Sequence, residues 1–434
     1  MQISKNKLYI TVFIVCFWIW ATYGFISEEI FPFLASLRLK LFLVLDVVIL
    51  IVAFLTIKDK WSRVFIGLFI GYAFFVTCIL ANLGFLNFIN GSRDYFSLLM
   101  FPIVLYFVNS EDGSEFKKRF DKTLYIFLII QFVCIFFQFL KYGAGDHGGG
   151  SLGNGNSGIA SILICIISFY FLQGKWNNRS NYFANIVENK FLIIMLLPVF
   201  FNETKVSFIL ILLYFILMIK YDKNSIFRLV ISAPVIVFIS ILLLNLYTFA
   251  TGNEDDVTSV EYYTESYLAL EDSDEIIEMI ETLDDGSLEE WDTEVDLPRF
   301  TKLGFFPSLM ESSGNNALFG AGLSHFKGGT SVEETQFAKD YQWYLSGTKL
   351  FSFYTLVQLG YIGLIGSIIY FCYCFGMGKK IPNRLIKLQI FLVVSTIIIF
   401  LYNNSFRFVP FGMVFFYILV RSQEMKNENI LEKK

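Results

Sequence analysis

The sequence predicts an all-α membrane protein with about twelve transmembrane helices and one large loop outside the membrane. Of its 434 residues, 55% are hydrophobic and 17% are charged, against roughly 25% charged residues in an ordinary soluble domain. Its mean hydropathy is +0.59. A water-soluble domain cannot bury that much apolar surface in one core, whereas lipid can cover it. Long apolar segments and the distribution of basic residues support the same class.

The apolar segments predict the spans in order. A helix needs about 20 apolar residues to cross the hydrocarbon core. The first segment reaches Phe25 without a small-residue cleavage site, so we expect an uncleaved span rather than a signal peptide. Residues 95–108 and 188–201 are short, and we expect each to tilt or to re-enter. The twelve segments are 8–26, 39–57, 62–84, 95–108, 121–140, 157–173, 188–201, 205–220, 227–249, 351–376, 383–402 and 406–421.

Basic residues predict the orientation. With the N-terminus inside, 23 of the 34 lysines and arginines fall in inner segments, and every inner segment holds at least two. Cytoplasmic loops carry this excess in membrane proteins. We therefore expect both termini in the cytoplasm and the large loop on the outer side of the membrane.

The chain divides accordingly. The loop holds 22 of the 38 acidic residues, mostly in 254–296. We interpret this acidic run as a solvated face with a short amphipathic helix at 271–283. The second half, 297–350, mixes aromatic, glycine and basic residues, which indicates a folded segment over the membrane domain. The expected units are 1–249 with nine spans, 250–350 as the loop, 351–421 with three spans, and 422–434 as a cytoplasmic tail.

Several classes of cofactor are not indicated. All six cysteines lie in apolar runs, which predicts free thiols and no metal site. The glycine cluster at 143–158 matches neither GxxxxGK[ST] nor GxGxxG. We expect no cofactor and no nucleic-acid partner.

Basic residues at the outer ends of spans are the first candidates for a site. A lone charge there usually snorkels to the interface. Lys205 and Arg407 are held close to the bundle by short connections, Arg93 has Asp94 beside it, and Arg299 lies in the second half of the loop. Cations fixed at one depth suit phosphate or pyrophosphate, and arginine can grip it with two hydrogen bonds.

The two histidines lie in glycine-rich segments. His147 belongs to "GAGDHGGGSLGNGNSG" and His325 to "NALFGAGLSHFKGG". Either can be a solvated loop histidine without a role. Alternatively, the first loop faces a glycan or phosphate with backbone donors, and His325 acts as a general base.

Four stretches resemble the O-antigen polymerase and O-antigen ligase superfamily, which includes the Wzy-type polysaccharide polymerases. They are "SLGNGNSGIASIL" (151–163), "ETKVSFILIL" (203–212), "PRFTKLGFFPSLMESSGNNALFGAGLSHF" (298–326) and "KLFSFYTLVQLGYIGLIG" (349–366). The resemblance implies a GT-C-like helical bundle in the plasma membrane of a bacterium. It also implies transfer of a glycan from a polyprenyl-pyrophosphate carrier to a carrier-linked acceptor, without metals or nucleotide sugars.

The resemblance also suggests roles for residues. His325, Arg299 and Lys205 are the expected catalytic residues, although a loop carboxylate stays open as the base. Lys349 stands where ligases of the superfamily carry histidine, which weakens the ligase alternative. The expected substrate-binding residues are Arg407, Arg93, Lys349, His147, Asn156, Gly320 and Gly322. Expected partners are polyprenyl-pyrophosphate-linked oligosaccharides, the bilayer, a chain-length regulator and a flippase. A flippase or transporter, or a sensor whose acidic loop binds a partner, are the alternatives from other classes.

Overall fold

The computed structural model confirms the all-α membrane class. It describes residues 5–143, 147–176, 182–202, 206–218, 299–326, 334–345, 350–376 and 383–431. This part of the chain is 85% helical and has no β-strand. Its α-helices are α1 (Lys5–Phe25), α2 (Arg38–Thr56), α3 (Lys60–Phe74), α4 (Phe85–Ser92), α5 (Met100–Asn109), α6 (Gly113–Tyr142), α7 (Ser157–Lys175), α8 (Tyr182–Glu188), α9 (Lys190–Ile194), α10 (Pro198–Phe201), α11 (Val206–Met218), α12 (Arg299–Ser312), α13 (Gln336–Asp340), α14 (Gln342–Leu345), α15 (Phe351–Gly376), α16 (Asn383–Tyr402) and α17 (Val409–Leu431).

Within the described ranges, six helical segments are long and apolar enough to cross a membrane, so the protein is multi-pass. Shorter apolar helices lie in α9–α10, α11, α16 and α17. The predicted span at 227–249 and the acidic run at 254–296 lie outside the described residues, and the total of twelve spans stays a prediction. The six long segments are Lys5–Ile30, Pro32–Thr56, Lys60–Leu80, Gly113–Tyr142, Ser157–Lys175 and Phe351–Gly376.

The two short predicted spans are not single regular helices. The segment at 95–108 begins as a 3-10 helix, Arg93–Leu99, and continues into α5. The segment at 188–201 is divided among α8, α9 and α10. Pro198 stands at the first position of α10, where its missing N–H costs nothing, and it cannot extend the helix before it.

Aromatic side chains fill the centre of the bundle, where α5 and α17 pack against each other. Phe120 lies 4.7 Å from Tyr417 and 5.8 Å from Phe13 between ring centroids, within the range that favours edge-to-face contact. The outer faces of α2 and α3 are also apolar, and Phe54 is 88% exposed. Because such a side chain is costly in water, these faces are suited to lipid.

A half-buried carboxylate joins three helices in this core. Asp121 of α6 accepts hydrogen bonds from the hydroxyls of Tyr170 on α7 at 2.9 Å and Tyr417 on α17 at 2.7 Å. Arg421 donates to Tyr170 at 3.4 Å. The network satisfies polar groups that would otherwise be expensive inside a membrane protein.

The helices of the predicted loop form a second, smaller core. Phe306 and Met310 of α12 pack with Tyr344 of α14 and with Phe353 at the start of α15. All four side chains are fully buried. This core fixes the loop segment against one end of α15, where the candidate site lies.

Candidate functional site

A loop segment forms backbone hydrogen bonds with a break in α15. Gly360 interrupts that helix with φ of 64°, which frees backbone groups that would otherwise bond within the helix. The loop segment 317–322 takes them up through four backbone hydrogen bonds. The bonds run from Ala321 N to Val357 O (2.8 Å), Gly322 N to Gln358 O (3.1 Å), Tyr361 N to Ala317 O (3.0 Å) and Ile362 N to Leu318 O (3.2 Å). These bonds pair backbone groups that would otherwise face an apolar environment without partners.

Two glycines predicted to bind substrate make this pairing possible. Gly320 and Gly322 have φ of 76° and 96°, a region that side chains other than glycine rarely adopt. A Cβ atom on Gly320 would lie 2.6 Å from the Gly360 nitrogen and 2.8 Å from the Val357 oxygen. The structure therefore places Gly320 against the backbone of α15 and Gly322 against the side chains of Ala81 and Leu83, and contact with substrate stays a prediction.

His325 is buried and uses both ring nitrogens within the loop. Nε2 lies 2.7 Å from the carbonyl oxygen of Ala321, which can only accept, so Nε2 carries the proton. Nδ1 lies 2.7 Å from the Thr335 hydroxyl, which also accepts from Ala338 N and caps α13. Burial lowers the pKa of His325 to about 4, against the opposing effect of its bond to Ala321. This geometry favours a structural role over that of the predicted base.

The next residue, Phe326, lies over Arg407. The centre of the Arg407 guanidinium is 5.9 Å from the Phe326 ring centroid and 3.7 Å from that of Tyr354. Its NH2 group pairs with the carboxylate of Asp94. An arginine guanidinium stays protonated in proteins. The arginine is therefore a permanently charged group enclosed by rings.

Arg93 lies beside this pair but has a different partner. The sequence suggested Asp94 because it is adjacent. In the structure Arg93 Nε donates to Asp46 of α2 at 2.6 Å, while Asp94 turns to Arg407. Two arginine–aspartate pairs thus meet at adjacent residues of one 3-10 helix. Each arginine is paired with a carboxylate, and a shared role of Arg93 and Arg407 in binding substrate stays a prediction.

Three buried donors have no hydrogen-bond partner within the described part of the chain: Arg407 Nε, Asn403 Nδ2 and Gln358 Nε2. Asn403 precedes Arg407 in the same short turn region, and Gln358 bonds to Tyr95, which interacts with the charge of Arg407. Gln358 uses its oxygen to accept from Tyr95 at 2.9 Å, and Asn403 uses its oxygen to accept from the Ser405 N–H at 3.0 Å. Leaving a buried donor unpaired costs about 1–3 kcal/mol. Each of these donors is free to bond to an acceptor oxygen of a ligand.

Sequence reasoning missed several of these residues. Gln358, Tyr354 and Asn403 were not candidates, although the first lies inside an apolar span and a polar side chain there is a signal in itself. Asp94 was noted only as a neighbour. The signal that was used, outward basic charge, identifies Arg407 but not the groups around it.

Other predicted residues lie elsewhere. His147 stacks on Tyr142 at the end of α6, with ring centroids 5.2 Å apart. Asn156 donates to the carbonyls of Leu152 and Gly153 at 3.1 and 3.3 Å, which closes the glycine turn before α7. Neither residue has a contact with Arg407 among those described.

The remaining three candidates have no side-chain description. Arg299 begins α12, and its side chain is not described. Lys205 and Lys349 lie outside the described residues, so their predicted roles stay predictions. No protein-family model and no curated protein sequence matches this chain.

Proposed function

We propose that the protein is a polysaccharide polymerase that transfers a glycan from a polyprenyl-pyrophosphate carrier to a carrier-linked acceptor glycan. The observation that carries this proposal is the group of three unpartnered buried donors around Arg407. It lies in a multi-pass helical protein, where a lipid-linked substrate can arrive from the bilayer. A diphosphate supplies the acceptor oxygens that these donors lack, and its charge suits a guanidinium.

The proposed step breaks one bond and forms another. The bond from the anomeric carbon to the carrier's diphosphate oxygen breaks, and the diphosphate leaves with the electron pair. The acceptor hydroxyl oxygen bonds to that carbon and gives its proton to a base. Negative charge grows on the leaving diphosphate, and fixed donors and Arg407 stabilise it without rearranging. Phosphate oxygens then compete with Asp94 for the guanidinium.

The rest of the proposal follows the orientation inferred from basic residues. The site faces the outside of a bacterial plasma membrane, with both termini in the cytoplasm. Repeat units reach it through a flippase, and a chain-length regulator is a further partner. No metal or other cofactor takes part in the proposed step.

Isosteric substitutions test the proposal. Gln358→Glu and Asn403→Asp each keep the oxygen that accepts inside the protein and replace the unpartnered donor by a second oxygen. We expect loss of most polymer when either variant replaces the native chain in the source organism. The new carboxylate is negatively charged and repels the negatively charged diphosphate. Arg407→Gln should abolish polymer. Arg63→Gln, at an exposed arginine, is the control.

The readout is the length ladder of extracted glycan, normalised to the amount of protein in the membrane. Native ladders from both Gln358→Glu and Asn403→Asp, at equal protein levels, would contradict the proposal. A ligase-type transferase would instead yield single repeat units attached to a final acceptor.

The break in α15 favours a second candidate, a transporter of the same lipid-linked glycan. Discontinuous helices at membrane depth are typical of transporter binding sites, and Gly360 divides α15. The two functions differ in their product. Purified protein in liposomes converts outward-facing lipid-linked glycan to longer chains if it is a polymerase, and only moves it between leaflets if it is a transporter.

A further inference from the structure

A second polar cluster lies where the end of α1 meets the end of α6. The last turn of the first apolar segment, Ile26–Ile30, is π-helical and carries two adjacent acids, Glu28 and Glu29. Such turns are rare and are frequent at functional sites. The two carboxylates have different surroundings.

Glu28 holds the glycine loop in place. One of its oxygens accepts from Arg38 at 2.9 Å and the other from the backbone N–H of Asn154 at 2.6 Å. A Cβ atom on Gly153 would lie 2.8 Å from either oxygen. Both acceptors of Glu28 are therefore in use, and its role is to fix the loop.

Glu29 has one oxygen left over. Its side chain is 1% exposed, and Oε2 accepts from Lys141 Nζ at 2.8 Å and from the Tyr142 hydroxyl at 3.2 Å. Oε1 is buried and has no hydrogen-bond partner among the described residues. Lys141 already neutralises the carboxylate. The Glu29 carboxylate thus has a cation beside it, but its Oε1 atom has no hydrogen-bond donor.

Two aromatic rings stand beside this carboxylate. The Tyr142 and His147 centroids are 5.2 Å apart with planes at 35°, and 42% of Tyr142 is exposed. The Nζ of Lys141, a side chain that is 47% exposed, lies 4.7 Å from the Tyr142 ring centroid. A sugar that stacks on this ring therefore has to displace the flexible lysine stem. An accessible ring next to a buried carboxylate oxygen offers an apolar face and a hydrogen-bond acceptor at once.

We propose that Glu29, Tyr142 and His147 form a saccharide-binding subsite, separate from the group around Arg407. A sugar ring stacks its C–H face on the aromatic pair and donates a hydroxyl to Glu29 Oε1. A neutral hydroxyl suits this oxygen better than an ammonium headgroup, because Lys141 already supplies the positive charge. The subsite itself follows from this geometry, and its assignment to the acceptor glycan rests on the proposed function.

The test uses the full-length protein in detergent on an array of bacterial surface glycans. We expect retention of a subset of glycans, and a loss of about tenfold or more with Glu29→Ala, equivalent to one lost hydrogen bond to a charged group. Tyr142→Ala, at a half-exposed position, should lose binding without endangering the fold. The control Glu115→Ala changes an acid that is 41% exposed at the opposite end of α6 and should bind as the native chain does.

Several results would overturn the subsite. The subsite is removed if the native chain retains no glycan, or if Glu29→Ala and Tyr142→Ala both retain glycans as well as the native chain does. Binding to phosphatidylethanolamine vesicles that depends on Glu29 while no glycan is retained also removes it. Arg407→Gln separates the two proposals, because it should stop polymer formation and leave glycan retention unchanged. If glycan retention depends on Glu29 but the protein has no transferase activity, the saccharide-binding subsite stands. Only its assignment to an acceptor glycan is then wrong.

Discussion

The Asp94 carboxylate pairs with the Arg407 guanidinium across 313 residues of chain, and the same guanidinium lies 3.7 Å from the ring centroid of Tyr354. The pair joins the 3-10 helix Arg93–Leu99 to the short turn before α17. It also holds the arginine beneath Phe326. The stability of the site and its charge thus depend on one interaction.

Removing one member of this pair should be costlier than removing both. Asp94→Ala leaves a buried charge unpaired, which costs about 3–5 kcal/mol. The double variant Asp94→Ala, Arg407→Met should recover part of that loss. Thermal unfolding in detergent gives the stability of the native chain, the two single variants and the double variant. Additive losses in the double variant would show that the pair does not couple the two segments.

The glycines at the break in α15 should tolerate no side chain. Gly320→Ala and Gly360→Ala each place a Cβ atom against opposing backbone at a positive φ, and we expect a fall in Tm and exposure of the loop to protease. Gly366→Ala, in the same helix with open space around it, should be neutral or stabilise by up to about 1 kcal/mol. Equal effects of Gly360→Ala and Gly366→Ala would contradict the pairing.

His325 should make the loop sensitive to acid. Its pKa is lowered from 6.5 to about 4 by burial, so the unfolded chain binds a proton that the folded chain does not between these values. The contribution of neutral His325 to the free energy of unfolding is fully present above pH 6.5 and falls as the pH drops toward 4. Below that pH it changes no further, and the total loss is about 3 kcal/mol. His325→Gln should flatten this dependence of Tm on pH. His147→Gln, at an exposed histidine, should not alter it.

The Asp121 network should contribute to stability and not to the candidate site. Tyr417→Phe and Tyr170→Phe each remove one hydrogen bond to a carboxylate, which we expect to cost about 1.5–3 kcal/mol. Polymer length per molecule of folded protein should stay native, because the network lies toward the opposite end of α6 from Tyr142. A changed length ladder from Tyr170→Phe would link this network to function.

Much of the fold could be predicted from the sequence because apolar length and period are local properties. Most predicted spans in the described ranges correspond to helices, whereas 188–201 is divided at Pro198. The break in α15 could not be predicted. Gly360 lies in an apolar run that indicates helix, and only the pairing with residues 317–322 compensates for interrupting it.

The candidate site was predictable only in part, for the same reason. Arg93 and Arg407 were identified from their positions at span ends. Their partners were not identified, because ion pairing inside a bundle depends on proximity in space rather than in sequence. Arg93 pairs with Asp46 and not with the adjacent Asp94. A charged residue within a span calls for a partner, so Asp46 was the signal available.

The pairing of residues 317–322 with α15 restricts how any substrate can enter. Withdrawing this segment would break four backbone hydrogen bonds within an apolar protein, which is costly. Residues 317–322 are therefore held in place. A ligand that reaches Arg407 would have to move the rings of Phe326 or Tyr354, which lie against the guanidinium, rather than this segment.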